Sequence, residues 1–257
     1  MKSSVRLQLV LPMTTKQKVR RAILLITFLT FPITFYYLSP YIIIDGATQG
    51  IIVGSFIYFS LLFLVSLFFG RAVCGWVCPA AGMQEWSAAV NDRRVRGGKL
   101  NWIKYFIWIP WIGIIITMTI LAGGFNSVDP FHLTTNGISV ASPGDYITFF
   151  TVVGIIVILS FAVGKRAFCH YVCWMAPFMI IGVRIKDLIK WPSLHLAPAT
   201  GECKQCRTCD KNCPMSLDVS QMVQSGSMKN DECILCGTCV DNCPNKVIQY
   251  SWSRSKI

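Results

Sequence analysis

The stretch FFGRAVCGWVCPAAG, residues 68–82, decides how this chain is read: an apolar run ends in two cysteines four apart, Cys74 and Cys78. A second stretch, AVGKRAFCHYVCWMAPF at residues 162–178, closes another apolar run in nearly the same way, with Cys169 and Cys173. The two pairs are offset by 95 residues, and their flanks, RAVCGWVC and RAFCHYVC, match. Whatever the first pair does, the chain does twice.

Four apolar runs, at about 22–44, 51–69, 105–122 and 146–163, reach or approach the ~20 residues that cross a bilayer. Apolar residues fill 53% of the 257 positions and charged residues only 14%, well below the ~25% of soluble domains. Pro32 and Pro110 fall inside two of the runs, which membrane helices tolerate when neighbours re-satisfy the freed carbonyls. Lys16, Lys18, Arg20 and Arg21 before the first run also suit a secretory signal. That run is longer than a signal core, and no small-residue cleavage site closes it. The expectation is an all-α bundle of four transmembrane helices, built as two hairpin repeats.

All 24 Lys and Arg lie in residues 1–21, in 70–104, or after Gly164, and the loops around Asp45 and at 123–145 have none. The positive-inside rule then puts both termini and the 70–104 loop on the cytoplasmic side of a multi-pass protein of the cell inner membrane. Topology accounts for the net charge of +12, and no nucleic-acid partner is needed.

Composition changes at Trp191–Pro192, where Pro192, Pro198 and Gly201 mark a linker. The chain thus divides into a membrane domain, 1–190, with the two C-x3-C motifs, and a cytoplasmic domain, 191–257. The second holds CKQCRTCDKNCP, with Cys203, Cys206, Cys209 and Cys213, and CILCGTCVDNCP, with Cys233, Cys236, Cys239 and Cys243. C-x2-C-x2-C-x3-C-P is the spacing of two-cluster bacterial ferredoxins, where the fourth cysteine of each run serves the other cluster. A small α+β domain with two [4Fe-4S] clusters is expected. Cys203, Cys206, Cys209 and Cys243 would hold one, and Cys233, Cys236, Cys239 and Cys213 the other. Zinc sites favour two C-x2-4-C pairs instead, and disulfides are rare in a reducing cytoplasm.

The four remaining cysteines all sit in the C-x3-C motifs. On a regular helix, positions i and i+4 hold their Cβ atoms about 5–6 Å apart, wide for a disulfide but suited to two corners of a cubane. Hairpin repeats related by an axis along the membrane normal would bring the pairs together at the cytoplasmic edge. A third iron–sulfur cluster ranks first for this quartet, redox-active thiols second, and a structural role third. The trailing stretches 79–90 and 174–185 are too short to cross and belong at the interface or folded back into protein. His170, at the position of Gly75 in the first copy, could tune or ligate a cofactor, although a histidine at headgroup level is more often solvated. His132, on the outer side, could assist a quinone or an external acceptor. The spans contain no histidine, which argues against haem in the bilayer.

On these residues the chain resembles the NapH/NosR-type membrane ferredoxins, or membrane polyferredoxins, from the first span to the C terminus. The resemblance rests on CGWVCP after a span, a second C-x3-C after a later span, and the paired ferredoxin runs. Cys74, Cys78 and Pro79 meet the family's C-x3-C-P. The second copy departs from it: Trp174 stands in place of the proline, with Pro177 three residues on. The form with a periplasmic flavin-binding domain, as in NosR, is a poor match.

The resemblance implies electron transfer between a cytoplasmic or quinone-pool partner (a ferredoxin, a flavoprotein or quinol) and a membrane or extracytoplasmic acceptor. Membrane lipid would surround the spans, and donor proteins would dock near Lys204, Arg207 and Lys211. The chain would be an electron-transfer component of an oxidoreductase system, with no catalytic acid–base pair. Two other classes stay open: a membrane reductase of a metal ion or disulfide using the C-x3-C cysteines, and a redox-sensing or assembly protein.

Overall fold

Prolines divide the first expected span. In the computed structural model, which describes residues 13–199 and 201–254, helix α1 (Thr15–Leu29) starts where the Thr14 hydroxyl accepts from the Gln17 amide. Pro32 opens a single turn, α2 (Phe31–Thr34), and Pro40 opens α3 (Pro40–Gln49) after a 3-10 turn at Tyr36–Leu38. Proline lacks the amide that would bond back to an earlier turn, yet its fixed φ suits a first turn. Each proline therefore begins a helix instead of being carried inside one, and the run 22–44 is not a single continuous span. Both chain ends, on which the expectation of cytoplasmic termini falls, lie outside the described residues.

The second run is also shortened. Residues of strand β1 (Ile51–Val53) pair in parallel with β2 (Ser127–Asp129), leaving α4 (Gly54–Phe69) with 16 residues. That is about 24 Å of helix, less than the ~30 Å hydrocarbon core. The chain then makes a five-residue helix, α5 (Ala72–Trp76), and turns back as α6 (Pro79–Ser87). Helices α7 (Ile103–Leu121), with the 3-10 turn ahead of it, and α8 (Pro143–Ala162) are the two that are long and apolar enough to cross a membrane. Pro110 sits inside α7 without ending it. Helix α8 opens on a capping box between Ser142 and Asp145. Then the motif geometry repeats, with α9 (Ala167–Tyr171) and α10 (Ala176–Leu188).

The trailing stretches fold back into protein. Helix α6 packs against α1 and α8, with all but two of its nine residues buried, and α10 packs against α4 and α7. Leu24, Ile156, Met179 and Ile180 fill the space between these elements, each 1% exposed. In contrast, only 17% of the apolar window of either α7 or α8 is buried.

The tail is a small α+β unit. Strand β3 (Pro192–Pro198) pairs antiparallel with β4 (Ile248–Arg254), from Pro192 opposite Arg254 to Pro198 opposite Ile248. Between them lie α11 (Thr208–Asn212), α12 (Val219–Gln224) and α13 (Thr238–Asp241). The ribbon leans on the end of α4 through two edge-to-face ring pairs, Phe68 with Trp191 and Phe69 with Trp252.

Candidate functional site

Two cavities sort the eight tail cysteines. Cys213, Cys233, Cys236 and Cys239 line one, with about 400 Å³ of atom-free space partly open to solvent. Cys203, Cys206, Cys209 and Cys243 line the other, with about 380 Å³. The last cysteine of each run thus stands with the first three of the other run. The loops have the same backbone. Gln205 and Leu235, Arg207 and Gly237, and Ser216 and Lys246 form three pairs at matched positions, all with positive φ. Such reversals curl a short loop around one centre and turn its amides inward, the concavity found at many anion and Fe–S sites.

The two cavities differ in cover. Cys206 is exposed, as are Lys204, Arg207 and Lys211 beside it. Cys213, Cys236 and Cys239 are buried, because the C-x3-C motifs lie over their loops. A Cβ on Gly75 would collide with the Ile234 carbonyl oxygen, so the close approach requires glycine. Next to it, Trp76 Nε1 donates to the Leu235 carbonyl at 3.1 Å, and Gln17 Nε2 donates to the Cys236 carbonyl at 3.1 Å.

His170, the repeat counterpart of Gly75, makes the matching contact: its Nε2 donates to the Met215 carbonyl at 3.0 Å. Its Nδ1 lies 3.2 Å from Asn101 Oδ1. The expectation of a solvated histidine is corrected, for the side chain is 1% exposed because the tail covers it. Burial lowers its pKa to about 4, so it docks as a neutral imidazole. His132 sits at the far end of α4, with Nε2 2.7 Å from Asp45 Oδ2, away from every cysteine motif.

The C-x3-C pairs are not on regular helices, which corrects the expected i,i+4 geometry. Helix α5 stops at Trp76, and Cys78 caps α6 with extended backbone. The Cys78 amide reaches back five residues to the Val73 carbonyl at 3.0 Å, as the Cys173 amide does to Phe168 at 2.9 Å. The missing proline of the second copy is displaced, not lost: α10 starts at Ala176, with Pro177 in its first turn.

All four C-x3-C cysteines are 5–9% exposed and share one core. Contacts run both ways between the copies. Gln84 on α6 donates to Cys169 Sγ at 3.2 Å, and Arg166 Nη1 donates to the Cys74 carbonyl at 2.9 Å. Burial pushes the Cys173 thiol up to about 12, with Cys169 and Cys74 adding to it. Burial likewise raises Cys78, and Cys74, Cys169 and Cys173 all bear on it. Each copy thus contacts the cysteine motif of the other. Among the described residues, no three His, Cys, Asp or Glu are close enough to share a single metal ion.

A buried charge frame surrounds the quartet, and it escaped the reading of the sequence. Arg20 and Arg166 share Glu85, with Arg20 Nη1 2.7 Å from its carboxylate. Arg71 and Lys104 share Glu232, with Arg71 Nη1 at 2.6 Å. The available signal was the arginine three residues before the first cysteine of each motif.

Comparison with known proteins follows the same divisions. A family described as "4Fe-4S binding domain" matches residues 51–101 and 146–191, two segments that begin at the repeat's own 95-residue offset. A "4Fe-4S dicluster domain" matches residues 202–248. Among curated proteins, the chain is similar to an uncharacterized protein of Methanocaldococcus jannaschii, 24% identical over 63% of this chain and 66% of that one. It is similar to protein NirI of Paracoccus denitrificans, 25% identical over 62% of this chain and 23% of NirI. It is also similar to YccM of Escherichia coli, 23% identical over 72% of this chain and 52% of YccM. In each of these cases the match spans less than two thirds of the relative. No solved structure matches. The chain thus carries 4Fe-4S binding domains in both halves of its repeat and in its tail, and it is an iron–sulfur protein.

Proposed function

We propose that the chain is an integral membrane electron carrier of the NapH/NosR type. It relays electrons between a cytoplasmic or quinone-pool partner and an acceptor in or beyond the membrane. The observation that carries this is the nesting of three cysteine sets. The set with exposed Cys206 is outermost, the set of Cys213, Cys233, Cys236 and Cys239 is covered by Gly75, Trp76 and His170, and the buried quartet lies beneath. A relay needs such an order, whereas a sensor needs one responsive site.

In this reading the tail cysteines hold two [4Fe-4S] clusters in the crossed grouping of the two cavities, and the quartet holds a third. When bound, the clusters supply one-electron chemistry at potentials set by charge, burial and hydrogen bonds to sulfur. The chain supplies those settings and the order of the sites. Dithiol exchange needs an accessible thiolate, and the 5–9% exposure of the quartet opposes it. The apolar surfaces of α7 and α8 support a membrane setting. Phe106, Ile120 and Ile147 are each more than 70% exposed, and so large an apolar surface is rare on a soluble monomer. YccM, provisionally named an electron transport protein, supports the same role. Lys204, Arg207 and Lys211 beside the outermost set suit docking of an acidic redox protein.

The test is rapid freeze-quench EPR after mixing the full-length protein with reduced ferredoxin. Tail signals should appear before the quartet's signal, and Cys236→Ser should slow the quartet's reduction at least tenfold. Reduction of the quartet at the wild-type rate in that variant would contradict the relay.

A further inference from the structure

Among the largest fully buried side chains are the two arginines that precede the motif cysteines, Arg71 and Arg166, each 1% exposed. Each guanidinium is partly committed. Arg71 Nη1 donates to Glu232 Oε2 at 2.6 Å and to the Asp231 carbonyl at 3.1 Å. Arg166 Nη1 donates to the Cys74 carbonyl at 2.9 Å, and its Nη2 pairs with Glu85. The Nε of each, however, is buried with no hydrogen-bond partner among the described residues. A buried donor without an acceptor costs about 1–3 kcal/mol and is uncommon in native proteins. Here it recurs at the same position in both halves of the repeat.

Two matched orphans, each three residues ahead of a motif cysteine, suit a shared acceptor at the quartet. One contact ties the pair to that site: Arg166, from the second copy, reaches the backbone of Cys74 in the first. Glu85 is a single carboxylate facing both Arg20 and Arg166, so that half of the frame keeps a net positive charge.

We propose that Arg71 and Arg166 are paired positioning residues for the redox group of the quartet, each giving its Nε–H to a sulfur of that group. The inference rests on the reading of Cys74, Cys78, Cys169 and Cys173 as holders of an iron–sulfur centre. Four thiolates make such a centre anionic, and an added electron makes it more so. Two fixed guanidinium charges and two N–H donors stabilise the reduced state more than the oxidised one, and so raise the potential. The guanidinium does not deprotonate in proteins, so the setting is independent of pH in the physiological range.

The experiment uses the full-length protein in detergent. It compares wild type, Arg71→Lys, Arg166→Lys and the double variant by EPR-monitored redox titration and by ENDOR of exchangeable protons at the quartet's signal. Lysine keeps a charge for the carboxylate but has no donor at the Nε position. Each single variant should lower electron affinity about tenfold, equivalent to about 59 mV for a one-electron couple. Each should also lose one exchangeable-proton coupling, while the tail potentials stay in place. Unchanged potential and couplings, with iron retained, would overturn the proposal. Should a variant lose its iron, wild-type protein labelled with 15N at arginine alone decides: coupling of the quartet's signal to arginine nitrogen supports the proposal and its absence overturns it. Wild-type iron near eight per chain, unchanged by Cys74→Ser, would instead overturn the quartet reading itself and this inference with it.

Discussion

Gly75 and Ile234 approach until no β-carbon fits between them, so the first C-x3-C motif and the inner tail loop meet backbone to backbone. The contact ties the covered tail site to the quartet without an intervening side chain. Gly75→Ala must push the 233–236 loop aside, and overpacking of this kind typically costs about 1–3 kcal/mol. The expected outcome is faster amide hydrogen exchange across residues 231–237, with total iron unchanged. Wild-type protection in this loop would show that the contact is not tight.

The crossed grouping of the tail cysteines predicts a selective lesion. Cys213→Ala should damage the cluster associated with Cys233, Cys236 and Cys239, and spare the one near Cys203. EPR of the reduced variant distinguishes the two, because the covered site is screened from soluble paramagnetic relaxants and the Cys206 site is not. Loss of the relaxant-sensitive signal, with the other intact, would reverse the assignment.

Glu85 holds two buried guanidiniums, and its removal should be felt throughout the motif region. Breaking a buried ion pair by deleting one partner costs about 3–5 kcal/mol, so Glu85→Ala should lower the thermal midpoint in detergent by several degrees. Asp218→Ala breaks the exposed pair with Arg94, whose side chains are 42% and 68% exposed. A pair of that kind contributes about 0–1 kcal/mol. Equal midpoints for the two variants would mean that the buried frame bears no strain when Glu85 is lost.

Topology is tested by reporter fusions. Fusions at residues 46 and 135 should read as external, and those at 95 and 257 as cytoplasmic, because the basic residues are confined to one set of loops. An external C terminus would remove the tail from any cytoplasmic donor.

Much of the tail was legible because its information is local. Cysteines three and four apart must share a tight loop, and the grouping around two cavities follows from spacing that the chain states twice. The repeat was legible for the same reason, through RAVC and RAFC. Other features depend on distant partners. Pro32 reads equally well inside a span or at its start, and only the packing of α1, α2 and α3 decides between them. Residues 51–53 look like the head of an apolar helix, but pairing with residues 127–129 draws them into a strand. The partners of Arg166 and Arg71, Glu85 and Glu232, lie 81 and 161 residues away. Periodicity carries no trace of such contacts. His170 seemed solvated beside the motif because its cover, Met215, comes from the tail.

The most direct test of the account is iron and acid-labile sulfide per chain, measured in wild type and in Cys74→Ser. If the quartet holds a cluster beneath the two in the tail, iron should be about twelve in the wild type and about eight in the variant, with the tail EPR signals unchanged. About eight in both proteins would contradict it.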